Sequence, residues 1–187
     1  MTKIELRKKY KLLRCQIAPD ELEQMSIEIA NTVSKMNIWQ HSYYHIFLPI
    51  VIQREINTEH ILPVFFGKDK EIVVSKSDFI SLKMTHYLLA GDTQILVNRF
   101  GVPEPADGLK IATSKIDVVF VPLLAYDLHG NRVGYGQGFY DQFLSDCRPD
   151  VLKIGLSFFE PEPLIDGILT TDVKLDFCIN PNGVVAF

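Results

Sequence analysis

One stretch limits what this chain can become more than any other: residues 117 to 144, DVVFVPLLAYDLHGNRVGYGQGFYDQFL. It begins with a run that is almost wholly apolar, Val118 to Pro122, of the kind found where a strand is covered on both faces. A polar loop follows, with glycines at alternate positions (Gly134, Gly136 and Gly138), and then a helix beginning near Phe139. A buried strand that runs through a glycine-rich turn into a helix N-terminus is a common α/β device for holding an anion. The loop is not a Walker A motif, because G-x-x-x-x-G-K-[ST] is absent. Nor is it the dinucleotide G-x-G-x-x-G, since Phe139 stands where the third glycine belongs. A phosphate cradle and a tight structural turn with an acidic helix start both remain open. Asp141 fits either reading, as a magnesium ligand or as a carboxylate favoured by the helix dipole.

The remaining pattern predicts alternating strands and helices in a single domain covering residues 1–187. Thr2-x-x-Glu5 has the spacing of a capping box for a helix over 3–16. Ile4, Leu12 and Leu13 supply part of its apolar face, and Lys3, Arg7, Lys11 and Arg14 line another. That basic row is either a solvated surface or a set of cations laid over an anionic ligand. Pro19 starts a second helix, with Leu22, Met25, Ile29, Val33 and Met36 as its core stripe. Strands are expected at 43–50, 71–74, 84–89, 117–122, 152–158, 176–180 and 184–187. A short helix capped by Thr58 or Asn57 follows, with Pro63 expected to shorten or kink it. This order predicts an α/β fold, a three-layer α/β/α sandwich around a mostly parallel open sheet.

Composition narrows the function. The net charge is −4, from 19 basic and 23 acidic side chains, which argues against a general nucleic-acid binder. Cys15, Cys147 and Cys178 are scattered and odd in number, as expected of reduced thiols in a cytoplasmic protein. There is no secretory h-region and no apolar run long enough to span a membrane. Glu55 follows the strand at 43–50, where α/β sheets bind ligands, and could accept hydrogen bonds from a ring N–H; it could equally be a solvated loop acid. Asp172 and Asp176 are each candidates to join Asp141 at a metal. The five histidines show no ligand spacing.

The 117–144 stretch closely resembles the signature of the 5-formyltetrahydrofolate cyclo-ligase family. Other segments are similar in the right order: Lys3-Ile4-Glu5-Leu6-Arg7 to a basic start, Glu55-Ile56-Asn57-Thr58 to an E-x-x-T, Val102-Pro103-Glu104-Pro105 to an E-P loop, and Thr171-Asp172-x-x-Leu175-Asp176 to a C-terminal acidic segment. The resemblance implies ring closure of 5-formyltetrahydrofolate to 5,10-methenyltetrahydrofolate with ATP and Mg²⁺. It also implies the sites. ATP would meet Lys3, Ile4, Glu5, Leu6 and Arg7, and Arg132, Val133, Gly134, Tyr135, Gly136, Gln137, Gly138, Phe139 and Tyr140. The folate would meet Leu48, Glu55, Tyr135 and Phe139. Arg132 and Tyr140 would be catalytic, and Asp141 and Asp172 would hold the metal, with Asp176 as the alternative to Asp172. The segment Leu123-Leu124-Ala125-Tyr126 departs from the G-L-A-F usual in the family.

Overall fold

The computed structural model describes all 187 residues. Four helices are formed: α1 (Lys3–Gln16), α2 (Pro19–Lys35), α3 (Leu62–Gly67) and α4 (Phe139–Asp146). The strands are β1 (Tyr43–His45), β2 (Glu71–Asp78), β3 (Lys83–Leu88), β4 (Ile95–Val97), β5 (Pro103–Pro105), β6 (Val118–Pro122), β7 (Ala125–Tyr126), β8 (Arg132–Val133), β9 (Leu152–Leu156), β10 (Phe177–Asn180) and β11 (Gly183–Ala186). Seven of them make one sheet in the order β11-β10-β9-β6-β1-β2-β3. The five inner strands are parallel, and the edges β3 and β11 run antiparallel to their neighbours.

The two-residue period of β6 explains its composition. Val118 and Phe120 join a core that includes Ile29 and Val33 of α2 and Phe65 of α3. Val119 and Val121 join Phe143 and Leu144 of α4 on the opposite face. With both faces covered, each position must be apolar. The result is the expected three-layer arrangement.

Helix α1 differs from its expected packing. The capping box is present, with Thr2 N–H donating to Glu5 at 2.8 Å and Glu5 N–H to the Thr2 hydroxyl at 3.3 Å. Ile4 and Leu12, however, are 76% and 60% exposed. The inward stripe is buried Leu6 and Tyr10 with half-buried Leu13, spaced four and three, and it packs on the β7–β8 hairpin through Leu124, Ala125 and Val133. Lys3, Arg7 and Lys11, spaced four and four, lie beside that stripe.

Strand β1 ends at His45 rather than at Ile50. Pro49 has no N–H to give a ladder. The nearby backbone is satisfied by the following turn instead: Thr58 donates to the Phe47 carbonyl at 2.6 Å, and Ile50 N–H donates to Glu55 at 2.7 Å. Pro63 does not kink α3, because it sits in the first turn, where a missing N–H costs no intrahelical bond. Strand β2 runs on to Asp78, paired with β3 through six residues. The proline-fixed segment 103–105 is an edge strand paired with β4, a place where proline is tolerated.

The order of the sheet positions the site. From β1 the chain moves outward to β2 and β3; from β6 it moves the other way to β9 and β10. Strand order therefore reverses between β1 and β6, which are parallel neighbours, so the loops after both leave the same edge. A crevice at that reversal is the usual ligand site of an open α/β sheet.

Candidate active site

A cleft of about 400 Å³ opens at this reversal. One wall is the glycine loop, residues 134 to 138, with the start of α4. The facing wall is the turn after β1, from Phe47 to Glu55. Helix α1 supplies Lys3, Arg7 and Lys11, and the β2–β3 and β4–β5 connections supply Phe79 and Phe100.

The glycine loop is shaped by two backbone requirements. Gly138 caps α4 with φ +77, and no side chain caps the helix N–H groups. Gly136 has φ +94, and a Cβ there would stand 3.2 Å from the Arg7 guanidinium carbon. The Arg7 side chain therefore lies against the loop, with Nε donating to the Gly134 carbonyl at 2.9 Å.

The charges of the cleft sort into two groups. Lys3 is paired with Asp172. Arg132, whose side chain is 6% exposed, donates to Asp141 at 2.7 Å and to the Val173 carbonyl. Arg7 and Lys11 have no acidic partner, and the Lys11 ammonium lies 5.6 Å from the Tyr135 ring centroid. Two cations facing a cleft without counterions give that side of it a positive potential.

Asp141 and Asp172 each use one oxygen. Asp141 Oδ1 accepts from Arg132 and from Val173 N–H; Asp172 Oδ2 accepts from Lys3 and from Leu169 N–H. The other oxygen of each has no protein partner. Burial disfavours the Asp172 charge, but Lys3 and the Leu169 N–H hold its carboxyl below the usual aspartate range. Two carboxylates with a bare oxygen apiece fit Mg²⁺, which takes one or two protein carboxylates and fills its shell with phosphate and water. No group of three or more metal-ligating side chains occurs anywhere in the chain, the cleft included. Asp176 is outside the cleft, bound to Lys153 through its ammonium and its N–H, both at 2.8 Å.

Glu55 is not a solvated loop acid, being 6% exposed. Its carboxylate accepts from Ile50 N–H and from the Tyr135 hydroxyl, each at 2.7 Å. Burial raises its pKa, against the pull of those two donors and of Arg14. Burial and the Glu55 charge together push the Tyr140 phenol well above its ordinary range.

The cleft brings together most of the residues expected from sequence: Lys3, Arg7, Leu48, Glu55, Arg132, Asp141, Asp172, and 134 through 140. It corrects four. Ile4 points to solvent, and Glu5 is occupied by the cap of α1. Leu6 and Val133 are fully buried in the α1–hairpin core. A basic helix start can present only every third or fourth side chain to one ligand.

Sequence reasoning expected Phe139 but missed the rest of its aromatic wall, Phe79 and Phe100. Phe79 lies 4.2 Å from Phe100 and 5.1 Å from Phe139, centroid to centroid. Their only signal was the presence of large aromatics in otherwise polar turns. It also missed Arg14 as a buried group, and His45, whose Nε2 shares a hydrogen bond with Ser75 at 2.7 Å beneath the cleft.

Residues 1–159 match the 5-formyltetrahydrofolate cyclo-ligase family. A probable 5-formyltetrahydrofolate cyclo-ligase of Schizosaccharomyces pombe is 23% identical over 91% of this chain and 90% of its own. The Haemophilus influenzae 5-formyltetrahydrofolate cyclo-ligase is 29% identical over 73% of this chain and 76% of its own. Among solved structures, the 5,10-methenyltetrahydrofolate synthetase of Aquifex aeolicus superimposes with a TM-score of 0.82 at 26% identity, over 100% of this chain and 93% of that one. The synthetase of Mycoplasma pneumoniae, at 18% identity and a TM-score of 0.78, shares the fold over 97% of this chain and 99% of its own. A cleft at the strand-order reversal, lined by the signature loop, and a family match spanning that loop lead to one assignment: the chain belongs to the 5-formyltetrahydrofolate cyclo-ligase family.

Proposed function

We propose that residues 1–187 act as one catalytic domain that closes 5-formyltetrahydrofolate to 5,10-methenyltetrahydrofolate at the expense of ATP, with Mg²⁺. The observation that carries this reading is the two-sided cleft. Arg7, Lys11 and the glycine loop offer cations and backbone N–H groups on one side, suited to a triphosphate. Glu55 and the Phe79–Phe100–Phe139 wall offer a buried carboxylate and flat apolar surface on the other, suited to a pterin and its aromatic extension.

The chemistry needs both sides. The formyl oxygen attacks the γ-phosphorus, and the bond to ADP breaks. N10 then attacks the activated carbon, forms the new C–N bond and loses its proton. Phosphate departs with the former formyl oxygen. Phosphate is a far better leaving group than hydroxide, which is why the closure uses a nucleotide. Phosphoryl transfer asks a protein mainly for positioning and charge neutralisation. Asp141 and Asp172 would hold Mg²⁺, which supplies charge neutralisation at the phosphates. Arg132, fixed by Asp141, and the Tyr140 hydroxyl would meet the transferring group. Leu48 and Tyr135 would border the folate beside Glu55, whose two oxygens each keep a lone pair for a ring N–H.

Three unpaired cysteines support a reducing compartment, and we propose the cytoplasm. No helix is long and apolar enough to cross a membrane. The test mixes purified protein with Mg-ATP and 5-formyltetrahydrofolate and follows the methenyl product by absorbance. Product is expected only with both substrates present; none at high protein concentration rejects the reading.

A further inference from the structure

Arg14 lies in the last turn of α1 and is 3% exposed. A charge buried that deeply needs partners. Its Nη2 donates to the Leu123 carbonyl at 2.7 Å, and its Nη1 donates to the Tyr135 hydroxyl at 2.7 Å and to the Gln53 carbonyl at 3.4 Å. Nε has no partner at all. The Tyr135 hydroxyl, already accepting from Arg14, must turn its single proton to Glu55 Oε1, 2.7 Å away. The row Arg14 to Tyr135 to Glu55 thus has one direction. It crosses from the end of α1, through the glycine loop, to the turn after β1.

We propose that Arg14 is a positioning residue that acts through Tyr135, fixing that hydroxyl as a donor and so locking the folate-binding carboxylate of Glu55 to the nucleotide-binding loop. This deepens the cyclo-ligase reading and rests on it for the identity of the ligands. Arg14 from α1, Tyr135 from the loop and Tyr140 from α4 are the titratable groups that bear on Glu55. Arg14 and Tyr135 favour its ionised form against burial. The Tyr135 phenol is itself raised far above its ordinary value, so it stays a donor through the working pH range.

Four variants test this: Arg14→Met, Arg14→Lys, Tyr135→Phe and the double Arg14→Met/Tyr135→Phe. In Arg14→Met and Tyr135→Phe the acid limb of kcat/KM for 5-formyltetrahydrofolate moves up by about one pH unit or more, the ordinary effect of losing a nearby opposite charge or a hydrogen bond to the charged form. In Arg14→Met the KM for ATP changes less than the KM for 5-formyltetrahydrofolate. The double variant is no worse than the worse single, because both substitutions break one row. Arg14→Lys recovers part of the acid shift. An unmoved acid limb, or additive losses in the double variant, overturns the proposal. If Arg14→Met fails to fold, Tyr135→Phe, which removes one oxygen, carries the test. If the unsubstituted protein forms no methenyl product, the function reading fails. The positioning role is then read by NMR titration of the labelled Glu55 carboxyl: its pKa rises in Tyr135→Phe, or the proposal is wrong.

Discussion

Gly134 and Gly136 separate folding from binding in a way that one pair of alanines can read. A Cβ on Gly134 meets nothing within 4 Å, and its backbone is not in the left-handed region. Gly134→Ala therefore leaves the folded loop undisturbed and removes freedom only from the unfolded chain, a gain of about 0.4–1 kcal/mol. Gly136 has φ +94 and the Arg7 guanidinium 3.2 Å from where its Cβ would be. Gly136→Ala costs roughly 1–2 kcal/mol in backbone strain and also displaces Arg7. At about 2–4 °C per kcal/mol for a chain of this size, the first variant melts slightly higher than the unsubstituted protein and the second about 2–8 °C lower. On the ligand side the order changes. Gly134 lines the cleft, so its new methyl takes the space through which a phosphate approaches the backbone. A tenfold rise in the KM for ATP corresponds to only about 1.4 kcal/mol, and a rise of at least that size is expected. Differential scanning fluorimetry and steady-state kinetics give both quantities. A Gly134→Ala protein of undiminished stability with an unchanged KM for ATP refutes the anion-cradle reading of the loop.

Other perturbations are as specific. Asp141→Asn weakens the proposed metal site, so the Mg²⁺ needed for half-maximal rate rises by roughly 10–100-fold in a magnesium titration; an unchanged requirement removes Asp141 from the site. Phe79→Ala opens the aromatic wall and raises the KM for 5-formyltetrahydrofolate by about 3–10-fold, from the ~0.5–1.5 kcal/mol of an aromatic pair, with the KM for ATP little altered. Asp117 governs acid stability at the far end of the sheet. Its burial opposes ionisation, but Arg148 at 2.8 Å and the N–H groups of Ser42 and Tyr43 hold its carboxyl below the usual aspartate range. A folded-state pKa below the unfolded one stabilises above the unfolded value of about 3.9 and is lost as pH falls through the folded one. In urea titrations Asp117→Asn lowers stability at neutral pH by about 1–3 kcal/mol and flattens the decline in acid.

The fold was legible wherever one local rule dominated. The capping box at Thr2, Pro19 at a helix start, the apolar run of β6 and the helix after Gly138 each have a cause that acts within a few residues. The site was legible through the glycine loop and the basic row, because both are spacings along one element. What escaped depends on partners far away in sequence. Ile4 and Leu12 are as apolar as Leu6, and only the position of the β7–β8 hairpin decides that Leu6 is the one buried. That Asp172 lines the cleft and Asp176 does not turns on their partners Lys3 and Lys153, 169 and 23 residues away. The aromatic wall joins Phe79 and Phe100, from two separate connections, to Phe139 at the start of α4, and no local pattern announces such a meeting.

We propose that ATP activates the formyl oxygen in this cleft. It is tested most directly with 5-formyltetrahydrofolate carrying ¹⁸O in the formyl group, turned over by the protein with Mg-ATP. Released phosphate is then examined by mass spectrometry. One ¹⁸O atom is expected in each phosphate, in step with the methenyl product formed. Unlabelled phosphate accompanying the product contradicts it.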